Sequence, residues 1–461
     1  MQKQNQSLVS CNDKESTPIC HVVAMPYPGR GHVNPMMNLC KLLAASTKSD
    51  IRITFTVTEE WLGLLSSDPK PETIRFASIP NVIPSERIRA SDFLGFYEAV
   101  MTKMEAPFEQ LLDRLQPSVT LIIADIELRW MIDLANRRNI PVAAVWTSSA
   151  TYFSILYHFH LFAKNQNLPI DVLAKIADQI PGISSSNVSI LPTIFHRNNL
   201  RVTQLSLECV SKVPKAQYLL FTSVYELEPQ EMETLKATFQ FPVYSIGPAI
   251  PYLELQPNYS TLDYQKWLDS KPEASVLYIS LGSFLSVSKA QMDEMVSGLQ
   301  DSGVRYLWVA RGEASQLNEI CSDKGLVLPW CDQLKVLCHS SVRAFWTHCG
   351  WNSTLEAVFA GVPMLAFPLE WDQYSNCKKI VEEWKVGWNV QRKIGENNLV
   401  TREEITELVK KFMDLENNAS KEMRMRAREL RDVCRQAITA SGSSAKNLDV
   451  FVRNILEGNC Y

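Results

Sequence analysis

The eleven cysteines of this chain are scattered, with no CxxC pair among them and no dense clustering. That excludes a small disulfide-stapled scaffold and fits reduced thiols in a cytosolic setting. No stretch of about 18–20 apolar residues occurs, so no transmembrane helix is expected. The polar segment 1–17 lacks the apolar core of a signal peptide and reads as a flexible tail. The sequons at Asn187 and Asn418 are then expected to go unused, and the last eleven residues are too short and charged to anchor a chain. Basic residues are not in excess: Lys+Arg number 46 against 50 Asp+Glu, a net charge of −4. Nucleic acid and anionic membrane are therefore excluded as main partners. A small anion needs only a local site and remains allowed. Low-complexity tracts and short repeats are missing too. The expectation is a soluble cytoplasmic protein.

What is present is a regular α/β rhythm. A length of 461 residues, 46% of them hydrophobic, exceeds one ordinary core and implies two domains. Short β-branched runs alternate with helical patterns, as in parallel sheets. Strands are expected at 19–25, 51–57, 121–125 and 142–146, with a helix from about Pro35 to Ala45. A Pro-rich stretch from Gly247 breaks the pattern. The rhythm restarts with strands at 275–280, 306–309, 325–328, 344–347 and 364–367. Helices are expected at 289–302, 402–413 and 421–439, and the basic run from Arg424 to Arg435 reads as a solvated helix face. The division that follows is a tail at 1–17, a Rossmann-like domain at 18–246, a linker at 247–262 and a second Rossmann-like domain at 263–440. A final helix over 441–461 is able to pack back on the first domain. Two doubly wound domains facing each other put a ligand in the cleft between them, at the carboxyl ends of the strands.

The loop after the first strand reads Pro28-Gly-Arg-Gly-His-Val-Asn-Pro35. Gly29 and Gly31 match two glycines of a dinucleotide fingerprint, and Glu59 and Glu60 end the second strand where a ribose-binding acid would sit. A nicotinamide-dependent oxidoreductase is thus one reading. The third glycine position holds Asn34, however, a helix cap followed by Pro35 as a first helical residue. His32 offers an imidazole that can take a proton near neutral pH, or it is a hydrogen-bonded loop histidine. Asp125 ends an apolar strand at the edge where α/β active sites form; it either caps the next helix or orients His32 and stabilises its imidazolium.

The 44 residues from Trp330 to Gln373 carry the most information. They include Trp330-Cys-Asp-Gln333, His348-Cys-Gly-Trp351-Asn352-Ser353, Glu356, and Asp372-Gln373. This segment strongly resembles the signature box of plant secondary-product UDP-glycosyltransferases, and the resemblance extends over nearly the whole chain after the tail. It implies the two-domain GT-B fold and assigns roles. Trp330 would stack on uracil with Cys331 beside it, while Gln333 and Glu356 would hold the ribose. Ser283, His348, Asn352 and Ser353 would contact the diphosphate. Trp351, Asp372 and Gln373 would line the sugar, with Thr147 near it. His32 would be the general base and Asp125 its partner. A final Gln373 points to glucose within this family.

The residues support such roles independently. An indole face can stack on a base for about 1–3 kcal/mol, although a packed core Trp is the plainer reading of Trp330. A strand followed by His-Cys-Gly-Trp-Asn-Ser and a helix aims free backbone N–H groups at an anion. Ser353 to Glu356 also has capping-box spacing, which would leave Glu356 capping its own helix. Cys331, Cys338, His339, His348 and Cys349 match no standard zinc spacing. The chain has no Asp-x-Asp, the usual divalent-metal handle of the other large glycosyltransferase class; Asp125-Ile-Glu127 only loosely imitates it. No metal or cofactor is expected beyond the sugar nucleotide itself. Relatives often carry smaller residues at Trp346 and Trp371 and Ala-Pro after Trp330, differences that should tune packing. The expected enzyme is a monomer that transfers glucose from UDP-glucose, with inversion, to a small hydroxylated acceptor. The aromatic segment 147–162 and a lid-like stretch at 179–195 would form an apolar acceptor pocket. A catalytically inactive UDP-sugar sensor is the other alternative.

Overall fold

The computed structural model describes residues 20–46, 51–65, 71–166, 200–255, 263–282, 287–310, 324–391 and 399–458. The tail, Ser283, the stretch 179–195 and residues 256–262 of the linker lie outside these residues. The chain builds two all-parallel sheets. In the first, β3 (Ile74–Ile79), β2 (Ile51–Thr58), β1 (Cys20–Met25), β4 (Leu121–Asp125), β5 (Val142–Trp146), β6 (Tyr218–Phe221) and β7 (Val243–Ser245) lie side by side in that order. In the second the order is β10 (Gly325–Leu328), β9 (Arg305–Val309), β8 (Val276–Ser280), β11 (Val342–Thr347), β12 (Met364–Ala366) and β13 (Gly387–Asn389). Both follow the Rossmann order, reversing direction between the first and fourth strands of each half. Central strands such as β1, β4, β5, β8 and β11 are buried along their whole length, because helices cover both faces of a parallel sheet. The edge strand β3 is exposed or half-buried at its middle four positions.

Helix α1 corrects one expectation. It spans Arg30–Ser46, with Pro35 inside it. The Gly29 carbonyl starts it by accepting the N–H groups of His32 and Val33 at 2.9 and 2.8 Å. Asn34 is therefore no cap, and His32 stands in the first helical turn. Pro35 lacks an N–H, so the carbonyl of Gly31, four residues back, has no helical partner. A Cβ at Gly29 would meet Nη1 of Arg89 at 2.3 Å, so that guanidinium would have to shift to admit a side chain there.

The last helix, Ser443–Leu456, lays Leu448, Phe451, Val452 and Ile455 into the core shared by β1, β2 and α1. Its Asn447 donates to the Ser245 carbonyl at 2.9 Å. Buried contacts also join the two halves near the cleft. Lys379, 2% exposed, pairs with Glu231 at 3.1 Å and Glu228 at 3.8 Å. Glu228 in turn accepts the N–H groups of Ala150 and Thr151, at the start of helix Ala150–Gln166.

Candidate active site

The two direction-reversal points hold the candidate chemistry. On the first sheet, His32 follows β1 and Asp125 ends β4, the two strands that flank the reversal. Asp125 Oδ2 lies 2.8 Å from His32 Nδ1, and the side chains are 1% and 28% exposed respectively. The helix-cap reading of Asp125 does not hold: its second oxygen accepts the Glu127 N–H at 3.0 Å, and its first engages His32. Thr147 Oγ1, just past β5, is 3.1 Å from the same Nδ1. With Nδ1–H held by these two oxygens, Nε2 carries the lone pair and has no hydrogen-bond partner among the described residues. Burial works to lower the His32 pKa, but the Asp125 charge and hydrogen bond outweigh it and hold the imidazole above its ordinary 6.5.

On the second sheet, β11 leads through His348-Cys349-Gly350 into helix Trp351–Ala360. Cys349 adopts φ 66°, a left-handed conformation unusual for a side-chain-bearing residue. It is held there by Thr347 Oγ1, which accepts its N–H at 3.1 Å, and by Asn376, which donates to its carbonyl at 2.9 Å. His348 lies between two glycines: a Cβ on Gly282 or Gly350 would approach its Nε2 to 2.7 or 2.5 Å. Burial pushes its pKa down to about 4 against a hydrogen bond to Ser280, so the ring is neutral at pH 7. Its Nδ1 is buried and has no hydrogen-bond partner among the described residues. The helix N-terminus opens beside it with no side-chain cap. Such an uncapped end suits an anion.

Gln333 and Glu356 meet directly. Gln333 Nε2 lies 2.5 Å from Glu356 Oε2 and 2.9 Å from Ser353 Oγ, and its Oε1 accepts from Tyr278 at 3.1 Å. The capping-box reading fails, because the helix starts after Gly350 and Glu356 sits well inside it. Burial raises the Glu356 pKa to about 7, against the Gln333 hydrogen bond. Trp330 is 56% exposed, which rules out a packed core Trp. Cys331 is buried against the Tyr278 hydroxyl at 3.5 Å. Trp351 is a core ring, tilted 6.1 Å from Trp384, and offers the helix end only its backbone N–H.

Gln373 Oε1 accepts the N–H groups of Leu369 and Glu370 at 2.9 and 3.2 Å. This fixes the amide so that its NH₂ group points away from those contacts. Asp372 Oδ2 accepts from Asn376 at 2.9 Å and, across the cleft, from Ser148 at 2.6 Å. Asn352 also crosses, donating from Nδ2 to the Gly31 carbonyl at 2.7 Å. Ser148 and Asn376 carry no motif in the sequence, and Glu127 stands out there only as part of a loose imitation of a metal handle. The spacing Asp372-x-x-x-Asn376, one helical turn, was the available signal for Asn376. Cys331, Cys338, His339, His348 and Cys349 do not converge; His339 instead pairs with Ser341 and Asp269 at 2.8 and 3.0 Å. Among the described residues no group of three His, Cys, Asp or Glu side chains is arranged to hold a metal ion.

The family model for UDP-glucoronosyl and UDP-glucosyl transferases matches residues 160–430. The chain belongs to that family. UDP-glycosyltransferases 87A1 and 87A2 of Arabidopsis thaliana are 50% and 49% identical to it, over 94% and 97% of this chain and 99% of each relative. Among solved structures, Os79 of O. sativa in complex with U2F and trichothecene superposes with a TM-score of 0.81 at 26% identity, covering 94% of this chain and 100% of that one. UGT71G1 of Medicago truncatula, complexed with UDP-glucose, gives 0.76 at 25% identity over 95% and 98%. This UDP-glycosyltransferase therefore has the GT-B fold, and the oxidoreductase and inactive-sensor readings give way to an enzyme that uses a UDP-sugar. No described helix is long and apolar enough to cross a membrane.

Proposed function

We propose that the enzyme transfers glucose from UDP-glucose to a hydroxyl of a small lipophilic acceptor, inverting the anomeric centre. The observation that carries this reading is the His32–Asp125 pair at 2.8 Å on the wall facing an uncapped helix N-terminus. His32 Nε2 takes the acceptor proton as the oxygen attacks the anomeric carbon from the face opposite UDP. Asp125 holds the imidazole in the tautomer that leaves Nε2 free and stabilises the imidazolium that forms. The bond to the UDP oxygen breaks, and the charge it carries is met by the N–H groups at the start of helix Trp351–Ala360. His348 is neutral and contributes a dipole rather than a positive charge. Trp330 stacks on uracil, Gln333 and Glu356 take the ribose hydroxyls, and Asn352 and Ser353, with Ser283, contact the diphosphate. Asp372 and the free NH₂ of Gln373 bind the sugar hydroxyls, with Thr147 and Trp351 nearby. Glucose is favoured over galactose by the family resemblance at Gln373 and by the UDP-glucose held in the Medicago truncatula neighbour.

The test is a UDP-release screen of several UDP-sugars against a panel of hydroxylated acceptors, with and without added divalent cation. UDP-glucose should be the best donor, and His32→Ala should lose roughly 10²–10⁴-fold in turnover while still binding UDP. Undiminished turnover of that variant at saturating acceptor refutes the base assignment.

A further inference from the structure

The mechanism above leaves Glu127 without a task. Its backbone N–H donates to Asp125 Oδ1 at 3.0 Å, so the turn that fixes the dyad also fixes Glu127. Its side chain is half-buried, and the Tyr97 hydroxyl donates to Oε2. Among the described residues no group hydrogen-bonds Oε1, and no Lys or Arg pairs with this carboxylate. A buried oxygen lies close by. Tyr27 is 4% exposed, and its hydroxyl has no hydrogen-bond partner among the described residues. The Tyr27 ring is 5.0 Å from the His32 ring and 5.7 Å from that of Tyr97. Tyr97 stacks on Phe93 at 5.6 Å, and Phe93 meets Trp371 of the second half at 4.9 Å. Flat aromatic side chains thus run from the base to the opposite wall, interrupted by one open carboxylate oxygen and one idle phenol.

A carboxylate oxygen that no protein donor fills is open to a hydroxyl donated by a ligand, in a hydrogen bond strengthened by the charge. Burial pushes the Glu127 protonation point upward, against the charge of His32 and the Tyr97 bond, with Asp125 and Asp372 adding their repulsion. Three carboxylates therefore act on this part of the cleft. A fourth, carried by a ligand, would be repelled.

We propose that Glu127, with Tyr97 and Tyr27, forms an acceptor subsite that grips a second hydroxyl on a flat, uncharged aromatic acceptor and rejects acceptors bearing a carboxylate. This rests on the transferase reading above. Glu127 touches the acceptor but moves no proton in the transfer.

The experiment measures acceptor binding to the UDP-saturated enzyme by calorimetry, in parallel with UDP release from UDP-glucose. The probes are a dihydroxylated aromatic, the same compound with its second hydroxyl methylated, and the same compound with a carboxylate there. The dihydroxylated probe should bind roughly 10- to 100-fold tighter than the methyl ether, and the carboxylate probe weakest of the three. Glu127→Met should collapse both differences to within about threefold. Glu127→Gln, which keeps an acceptor oxygen without the charge, should restore part of the hydroxyl preference while admitting the carboxylate. A wild-type enzyme that binds the three probes alike, or an unchanged ranking in Glu127→Met, overturns the subsite. Selective binding without UDP release would instead sink the reading of glucose transfer from UDP-glucose and leave the subsite standing.

Discussion

Replacing Asp125 with Asn separates the charge of the dyad from its shape. In the native pair Asp125 Oδ2 accepts from His32 Nδ1 at 2.8 Å, and Thr147 Oγ1 is a second contact at 3.1 Å. A hydrogen bond involving a charged group contributes about 1.5–3 kcal/mol, so its loss should lower kcat/KM by roughly 10- to 100-fold. The Thr147 contact limits the loss by keeping the ring near its place. The pH profile should move as well. His32 works as a base only when neutral, so activity rises with pH through its pKa, which Asp125 holds above 6.5. Without that charge, burial dominates and the rising limb shifts to lower pH. The deficit of Asp125→Asn is therefore smallest in acid and largest on the alkaline plateau. The assay is UDP release from pH 5 to 9 at saturating UDP-glucose, with UDP affinity measured alongside; affinity should hold, because Asp125 lies in the other half of the molecule. A limb that stays in place, or moves upward, refutes the dyad.

Other perturbations reach the second half and the core. Trp330→Ala should weaken UDP binding by about 1–3 kcal/mol without changing the melting temperature of the unliganded enzyme, since the ring is 56% exposed; a drop in melting temperature with intact affinity would assign it to packing. Glu356, raised to about 7, is half protonated at neutral pH, and ribose hydroxyls donating to it favour its ionised form. UDP-glucose binding at pH 7 should release up to about half a proton, read from calorimetry in buffers of different ionisation heat, and Glu356→Gln should abolish the release. Proton release that survives in this variant would contradict the ribose assignment. Lys379→Met leaves Glu228 and Glu231 buried without their cation, which should cost about 3–5 kcal/mol. The check is denaturant unfolding, and a loss below about 1 kcal/mol would mean the network is far wetter than its burial indicates.

Much of this was legible in the sequence, for identifiable reasons. Central strands such as β1, β4 and β11 are buried on both faces, so their apolar runs stand out. His32 and Asp125 were readable because strand ends are where parallel sheets put polar side chains. The sequence disguises the start of α1, because Asn34-Pro35 imitates a cap whereas Gly29 begins the helix through its carbonyl. The strands β3, β6, β7 and β13 leave little trace in the sequence, being short or only partly buried. The cross-cleft bonds of Ser148 and Asn352 span 224 and 321 residues, and no local periodicity encodes such a pairing. Glu127 looked like half of an imitation metal motif; only the ring positions of Tyr27 and Tyr97 suggest another use.

Pro35 links the two walls of the cleft. An ordinary residue there would occupy the Gly31 carbonyl with its own amide. The imide instead leaves that oxygen to Asn352, 2.7 Å away on the other lobe. A side chain proposed to contact the diphosphate thus also ties one lobe to the other. On that proposed role, phosphate oxygens compete with the Gly31 carbonyl for the Asn352 amide, which ties donor binding to the spacing between the lobes.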